Sequence, residues 1–141
     1  MAKIETVYPR LVVSDGAAAI GFYVNALGAE ERCRYTDNDG RIVHSEVVIG
    51  GVTVAVKDAD GTDPSPDNVN GTPVILALYT DDANAVADRM MEHGATVIFP
   101  VRDQFYGERA GRLADPFGHV WMIAQKNGEL SPDEIQRTLT G

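Results

Sequence analysis

The fold is set by two stretches of similar order, LVVSDGAAAIGFYVNALGAE at residues 11–30 and ALYTDDANAVADRMMEHGAT at residues 77–96. In each, an apolar segment leads into an Asp, an apolar stretch of helical spacing and a Gly-Ala pair. Three pairs of residues are each separated by 66 positions: Asp15 and Asp81, Gly28 and Gly94, and Ala29 and Ala95. The shared offset predicts a duplicated unit, because one half-sheet cannot bury its apolar face alone.

Outward from these stretches, each module is predicted as strand, capped helix and three further strands, an α+β fold of two βαβββ modules. The elements of module one (residues 4–57) are a strand Ile4–Val13, a helix Ala17–Leu27, and strands Ala29–Tyr35, Arg41–Ile49 and Val52–Lys57. Those of module two (73–125) are a strand Pro73–Thr80, a helix from Asp81 to His93, a strand Ala95–Phe99, a loop Pro100–Arg109, and a hairpin of Gly111–Asp115 and His119–Gln125.

The modules are predicted to form one domain, residues 1–125. Residues 58–72 are rich in Asp, Pro, Gly and Asn and are predicted to link the modules. Residues 126–141 are a polar tail, in which the capping box that begins at Ser131 predicts a short terminal helix.

The composition limits the classes of partner. The chain has 141 residues and a formal net charge of −9, which argues against nucleic acid and against an anionic membrane surface. We find no apolar run long enough for a membrane helix and no signal peptide. The single cysteine, Cys33, has no Cys or His at metal-ligand spacing and is interpreted as a small strand residue. The expected compartment is the cytoplasm.

Two motifs resemble those of the glyoxalase/bleomycin-resistance/dioxygenase (vicinal oxygen chelate) superfamily. The first leads into the first helix within residues 11–30, with the segments LVVSD, AIGFY and LGAE. The second is the closing hairpin GRLADPFGHVW at residues 111–121, which resembles the PhnB-like branch, as does HSE at residues 44–46 before a Gly-Gly turn. The resemblance covers about residues 4–125. It implies a concave, cup-shaped mixed sheet with the helices outside, and a homodimer whose modules pair within one chain or across two.

The resemblance also implies four positions at which metal-dependent members hold a divalent ion in the cup. They fall on Tyr8, Val54, Val74 or Ile75, and Met122. None is a good ligand for a hard or borderline ion. The sequence therefore predicts no metal and no cofactor, and disfavours a glyoxalase I, an extradiol dioxygenase or a metal-dependent fosfomycin transferase.

Without a metal, the cup is predicted to bind an organic ligand on an apolar floor of Val54, Ile75 and Met122, with Tyr8 as a wall. Polar and aromatic residues elsewhere in the chain are predicted to complete this pocket. His44 and Glu46 share a strand face and form either a polar pair in the cup or a solvated structural pair. The predicted pocket comprises Tyr8, His44, Glu46, Val54, Ile75, Phe105, Tyr106, Arg112 and Met122.

Three of these residues keep a second interpretation. Arg112 either binds a carboxylate or phosphate of the ligand or forms a salt bridge with Glu46 or Asp115. Phe105 and Tyr106 either stack on a planar ligand or cover a dimer seam.

Three functions remain open. The first is a homodimeric, metal-independent binding protein that sequesters a drug or metabolite, planar or cationic, as bleomycin-resistance proteins do. The second is an isomerase, epimerase or lyase, with His44 or Glu46 as the general base and Arg112 as the anion partner. The third is an enzyme that binds a metal through other ligands, for which His44 and Glu46 lack a visible third partner.

Overall fold

The computed structural model describes residues 2–141, which divide into two compact units at the boundary between Thr72 and Pro73. The elements of unit 1 are β1 (Arg10–Val13), α1 (Gly16–Leu27), β2 (Glu30–Thr36), β3 (Ile42–Ile49), β4 (Val52–Asp58) and α2 (Pro66–Val69). Those of unit 2 are β5 (Ile75–Tyr79), α3 (Ala83–Glu92), β6 (Thr96–Asp103), β7 (Glu108–Ala114), β8 (Val120–Lys126) and α4 (Pro132–Thr140). The predicted βαβββ order is confirmed in both units.

Each unit contains a four-stranded mixed sheet of the same topology. The strand order is β1-β4-β3-β2 in unit 1 and β5-β8-β7-β6 in unit 2. In both, the first strand pairs in parallel with the last, and the other pairs are antiparallel. The helix after the first strand packs on its own sheet. Among residues 2–141, no helix is long and apolar enough to cross a membrane.

The two main helices begin in the same way. Asp15 and Asp82 are the N-cap residues of α1 and α3, and each side chain accepts the backbone N–H three residues ahead. The strand that pairs with the first strand supplies a second acceptor. Asp58 accepts from the N–H of Gly16, and Gln125 accepts from that of Ala83 at 2.9 Å. The caps are thus one position further apart than the 66-residue offset, and α1, with 12 residues, is longer than α3, with 10.

Several strand boundaries differ from the sequence-based prediction. The first strand was expected from Ile4 but begins at Arg10, after Pro9, whose nitrogen cannot donate to a ladder. The predicted loop Pro100–Arg109 is wrong over most of its length, since β6 continues to Asp103 and β7 begins at Glu108. Pro100 lies where the pairing with β7 shifts register between Phe99 and Arg102, and a bulge tolerates a residue without an N–H.

The segment between the modules is held against unit 1 by a buried lysine. Lys57 donates to the carboxylates of Asp60, at 2.8 Å, and Asp63. The hydrogen bond to Asp60, followed by that to Asp63, raises the pKa of Lys57. The same bond to Lys57, together with the N–H groups of Asp63 and Thr62, holds the pKa of Asp60 well below its usual range.

This ammonium–carboxylate cluster predicts a pH-dependent contribution to stability. A lowered folded-state pKa means that Asp60 stabilises the native state above its unfolded pKa of about 3.9, and that this contribution is lost as the pH falls further. We therefore expect Asp60→Asn to be less stable than the wild type at pH 7, with a gap that narrows below about pH 4. Urea unfolding at several pH values measures the gap. Asp39→Asn, in an exposed turn, is the control; a gap independent of pH would contradict the prediction.

Candidate functional site

A cleft of about 340 Å³ lies against β6, β7 and β8 of unit 2. Its volume is at the lower end of the range for small-molecule sites. The wall combines apolar, aromatic, amide and cationic side chains, among them Phe99, Arg102, Gln104, Tyr106, Arg112 and Met122. Arg112 and Met122 are paired across β7 and β8 and so project from the same face of the sheet. The cleft therefore has the composition of a site for a small, partly apolar ligand.

Arg112 is the polar centre of this cleft. It pairs with Phe99 across β6 and β7, and its guanidinium carbon lies 5.5 Å from the centre of the Phe99 ring. This cation–π contact fixes the plane of the guanidinium. The Nε atom of Arg112 is buried, and no acceptor within residues 2–141 bonds to it. A buried donor without a partner costs about 1–3 kcal/mol, so a ligand whose acceptor reached this atom would remove that cost.

The other charges around the cleft leave it cationic. Asp103 is the carboxylate on the wall, and its oxygen accepts from Arg109 at 3.2 Å and from Asn127 at 2.9 Å. Gln104 is tied to the backbone, donating to the carbonyl of Ala110 at 3.0 Å. Asp103 is thus compensated within the protein. The predicted salt bridge between Arg112 and Asp115 is not formed; Asp115 accepts from its own turn and from an indole.

A second polar cluster lies on the face of unit 1 opposite α1. The imidazole of His44 bonds through Nε2 to Glu46 at 2.9 Å and through Nδ1 to the guanidinium of Arg10 at 2.8 Å. Because an arginine can only donate, Nδ1 must be the acceptor, and neutral His44 then carries its proton on Nε2 and donates it to Glu46. The predicted His44–Glu46 pair is therefore formed, as part of a chain that begins at Arg10.

Two more residues belong to this cluster. The ring of Tyr35 stacks on His44, with the ring centres 6.2 Å apart and the planes at 16°. Cys33 is directly opposite Glu46 in the pairing of β2 with β3. Sequence spacing indicated no partner for Cys33, because the partner is contributed by cross-strand register and not by the order of residues along the chain.

The other predicted pocket residues are distributed over several environments. Tyr8 precedes β1 and is partly exposed, and Ile75 is on the same face of the unit 2 sheet as Met122. Tyr106 lines the cleft, and Phe105 contacts it edge-on with the ring centres 5.1 Å apart. Phe99 and Arg102 were missed, since both were placed at or beyond the end of the preceding strand.

Val54 was assigned to the wrong face. It pairs with Val47, and both are buried on the face that α1 covers. The residue on the opposite face is Ala55, which pairs with Glu46. The turn between β3 and β4 is shorter than the turn between β7 and β8, and the strand pairing shows that Arg112 corresponds to Glu46. The correspondence between the two units rests on their buried cross-strand pairs, which are Val47 with Val54 in unit 1 and Leu113 with Trp121 in unit 2.

The corrected register leaves the positions implied for a metal without suitable donors. On the faces away from the helices, the paired residues of the parallel strands are Arg10 with Ala55 in unit 1 and Ala77 with Met122 in unit 2. With Ala55 in place of Val54, the implied positions are Tyr8, Ala55, Val74 or Ile75, and Met122. These side chains do not fit a hard or borderline divalent ion, and neither do Arg10 and Ala77 on the same faces.

Residues 5–123 match the family model described as the Glyoxalase/Bleomycin resistance protein/Dioxygenase superfamily. An uncharacterized protein of Mycobacterium tuberculosis strain H37Rv is 40% identical over 137 residues, covering 94% of this chain and 81% of that protein. Among solved structures, TioX from Micromonospora sp. ML1 has a TM-score of 0.68 at 20% identity, over 86% of this chain and 98% of TioX.

A second similar structure contains a ligand. It is a mutant of FosX, a genomically encoded fosfomycin resistance protein from Listeria monocytogenes, complexed with Mn(II) and 1S,2S-dihydroxypropylphosphonic acid. It has a TM-score of 0.66 at 18% identity, over 98% of both chains. At these identities the two structures establish the fold, and the predicted fold class is confirmed.

Proposed function

The chain belongs to the glyoxalase/bleomycin resistance protein/dioxygenase superfamily, and from this premise we propose that it binds a small organic anion in the cleft around Arg112. The ligand carries a carboxylate or phosphonate and a compact apolar or aromatic body. Binding does not draw on a metal at the four positions implied by the family. The single observation that carries the proposal is the buried Nε of Arg112, which faces no protein acceptor in the described chain.

The ligand class follows from the local charge and not from the charge of the whole chain. A net charge of −9 favours a cationic ligand, but the cleft presents Arg112 and Arg102, while its carboxylate is already paired. A guanidinium held over an aromatic ring binds an anion in a bidentate geometry, donating parallel hydrogen bonds from Nε and Nη. The phosphonic acid bound by FosX is a ligand of this size and charge on the same fold, which supports the class of ligand proposed.

The aromatic and aliphatic walls define the rest of the ligand. Phe99 and Tyr106 offer ring faces, and Met122 offers a flexible thioether that adapts to an irregular shape. A homodimer is part of the proposal on the strength of the family resemblance, and sedimentation velocity would test it.

The proposal predicts a strong dependence of binding on Arg112. We expect benzoate to shift the amide NMR signals of residues 99–112 and 122, and benzamide, which has the same ring and no charge, to bind at least about tenfold more weakly. Arg112→Gln should weaken benzoate binding by about 30-fold or more, since a truncated charge pair costs about 2 kcal/mol or more.

Arg34→Gln is the matched control. Arg34 lies on β2 of unit 1, and its guanidinium bonds to Glu31. Its loss should leave the affinity for benzoate unchanged. Equal affinity for the acid and the amide, or no effect of Arg112→Gln on the acid, would refute the proposal.

A further inference from the structure

The polar cluster of unit 1 contains three side chains that differ in donor chemistry and lie together. The Cys33 thiol, the His44 imidazole and the Glu46 carboxylate each place one donor atom within 4.8 Å of the other two. They belong to two adjacent strands: His44 and Glu46 are two apart on β3, and Cys33 is opposite Glu46 on β2. All three are partly buried. Two adjacent strands of one sheet therefore bring the three donors together.

We propose that Cys33, His44 and Glu46 form a site for one borderline divalent cation, Zn²⁺ or Co²⁺, with a fourth coordination position left open. Sulfur, nitrogen and oxygen donors together select such ions over Mg²⁺ and Ca²⁺, which take oxygen ligands. Three protein ligands with one open position is the arrangement found in catalytic zinc sites. This site shares no residue with the four positions implied by the family or with the wall of the cleft of unit 2.

The geometry requires a modest contraction. In a tetrahedral site with ligand bonds of about 2.0–2.3 Å, neighbouring donor atoms are about 3.4–3.7 Å apart. His44 and Glu46 are already closer, at 2.9 Å between Nε2 and Oε2, and separate when an ion enters between them. The remaining separations, at most 4.8 Å, close by about an ångström through side-chain rotation.

Two arginine side chains contact the proposed ligands His44 and Glu46 and would compete with the cation for them. Arg10 donates to Nδ1 of His44, which keeps the proton on Nε2, the nitrogen that faces Glu46. A metal on Nε2 requires that proton to leave and Nδ1 to become the protonated nitrogen, so the exposed guanidinium of Arg10 must turn away. Arg32 lies 3.7 Å from Glu46 and is largely exposed, so it yields at little cost. Removal of Arg10 should therefore strengthen metal binding.

Cobalt(II) is the probe that tests the site, on untagged, reduced, full-length protein. We expect one equivalent of Co²⁺ to produce a thiolate-to-cobalt charge-transfer band, which Zn²⁺ then abolishes by displacement. Since Cys33 is the single cysteine, the band reports its sulfur. Cys33→Ser should abolish the band, and His44→Gln and Glu46→Gln should each weaken affinity by on the order of 100-fold. Arg10→Met should tighten binding severalfold.

Matched variants separate this site from binding elsewhere. His93→Gln, at the end of α3, and Glu31→Gln, which is bonded to Arg34, should leave the affinity and the band unchanged. Circular dichroism of every variant verifies that it is folded. The proposal is overturned if the wild type gives no thiolate band at saturating Co²⁺, or if His93→Gln removes the band while His44→Gln does not.

Discussion

Gly111→Ala is expected to destabilise the protein by about 3 kcal/mol, although it adds a single methyl group. Gly111 lies on β7 opposite the bulge of β6. A Cβ atom built on it would be 2.7 Å from the nitrogen of Val101 and 2.9 Å from both the Val101 Cα and the Phe99 carbonyl oxygen. All three contacts are to backbone, so no side chain can rotate to make room. The β6 bulge would have to move away, and with it Phe99, the ring beneath Arg112.

Gly21→Ala is the matched control for this effect. Gly21 lies within α1, and a Cβ built there meets nothing within 4 Å. Since alanine is favoured over glycine inside a helix, Gly21→Ala should stabilise the protein by about 0.5–1 kcal/mol. Urea unfolding of both variants measures the two opposite shifts. A loss below about 0.5 kcal/mol for Gly111→Ala would mean that β6 and β7 do not approach as closely as described.

The order of elements could be predicted from sequence because it depends on local signals. Each of these signals involves residues only a few positions apart. They are the helix caps at Asp15 and near Asp82, the left-handed Gly28 that ends α1, and the alternation of apolar residues in the strands. The β6 bulge could not be predicted in this way. Pro100 disfavours a central strand, and this preference is overridden by the pairing of β6 with β7 on both sides of the bulge. Residues beyond Phe99 were therefore assigned to a loop.

The candidate sites depend on which residues face each other across strands, and this information is absent from spacing along one strand. His44 and Glu46 were predicted as a pair because both are on β3. Their contacts with Arg10 and Cys33 require the register of two other strands. The same dependence explains the assignment of Val54 to the wrong face, since a shift of one position in the register reverses every side chain.

The motif DPFGHVW at residues 115–121 is explained by the hydrogen bonds of its first residue, Asp115, and these bonds predict a second large loss of stability on substitution. The Asp115 carboxylate is buried. It accepts hydrogen bonds from the backbone N–H of Phe117 at 2.9 Å, from that of His119 at 3.0 Å, and from the indole N–H of Trp121 at 2.9 Å. One side chain thus holds the turn between β7 and β8 and orients the core tryptophan. Asp115→Ala leaves these buried donors without their acceptor and is expected to cost about 3–5 kcal/mol.

Urea unfolding followed by the fluorescence of Trp121, the single tryptophan, measures this loss, and two comparisons assign its cause. Asp37 accepts two backbone N–H groups in the exposed turn before β3 and reaches no indole. Asp37→Ala should therefore cost about 1 kcal/mol. In a double-mutant cycle with Trp121→Phe, followed by circular dichroism, the loss from Asp115→Ala should shrink by about 1 kcal/mol or more, because the indole donor is already absent. Strict additivity would show that the Asp115–Trp121 bond contributes nothing, and the stabilising role of Asp115 would then be confined to the turn.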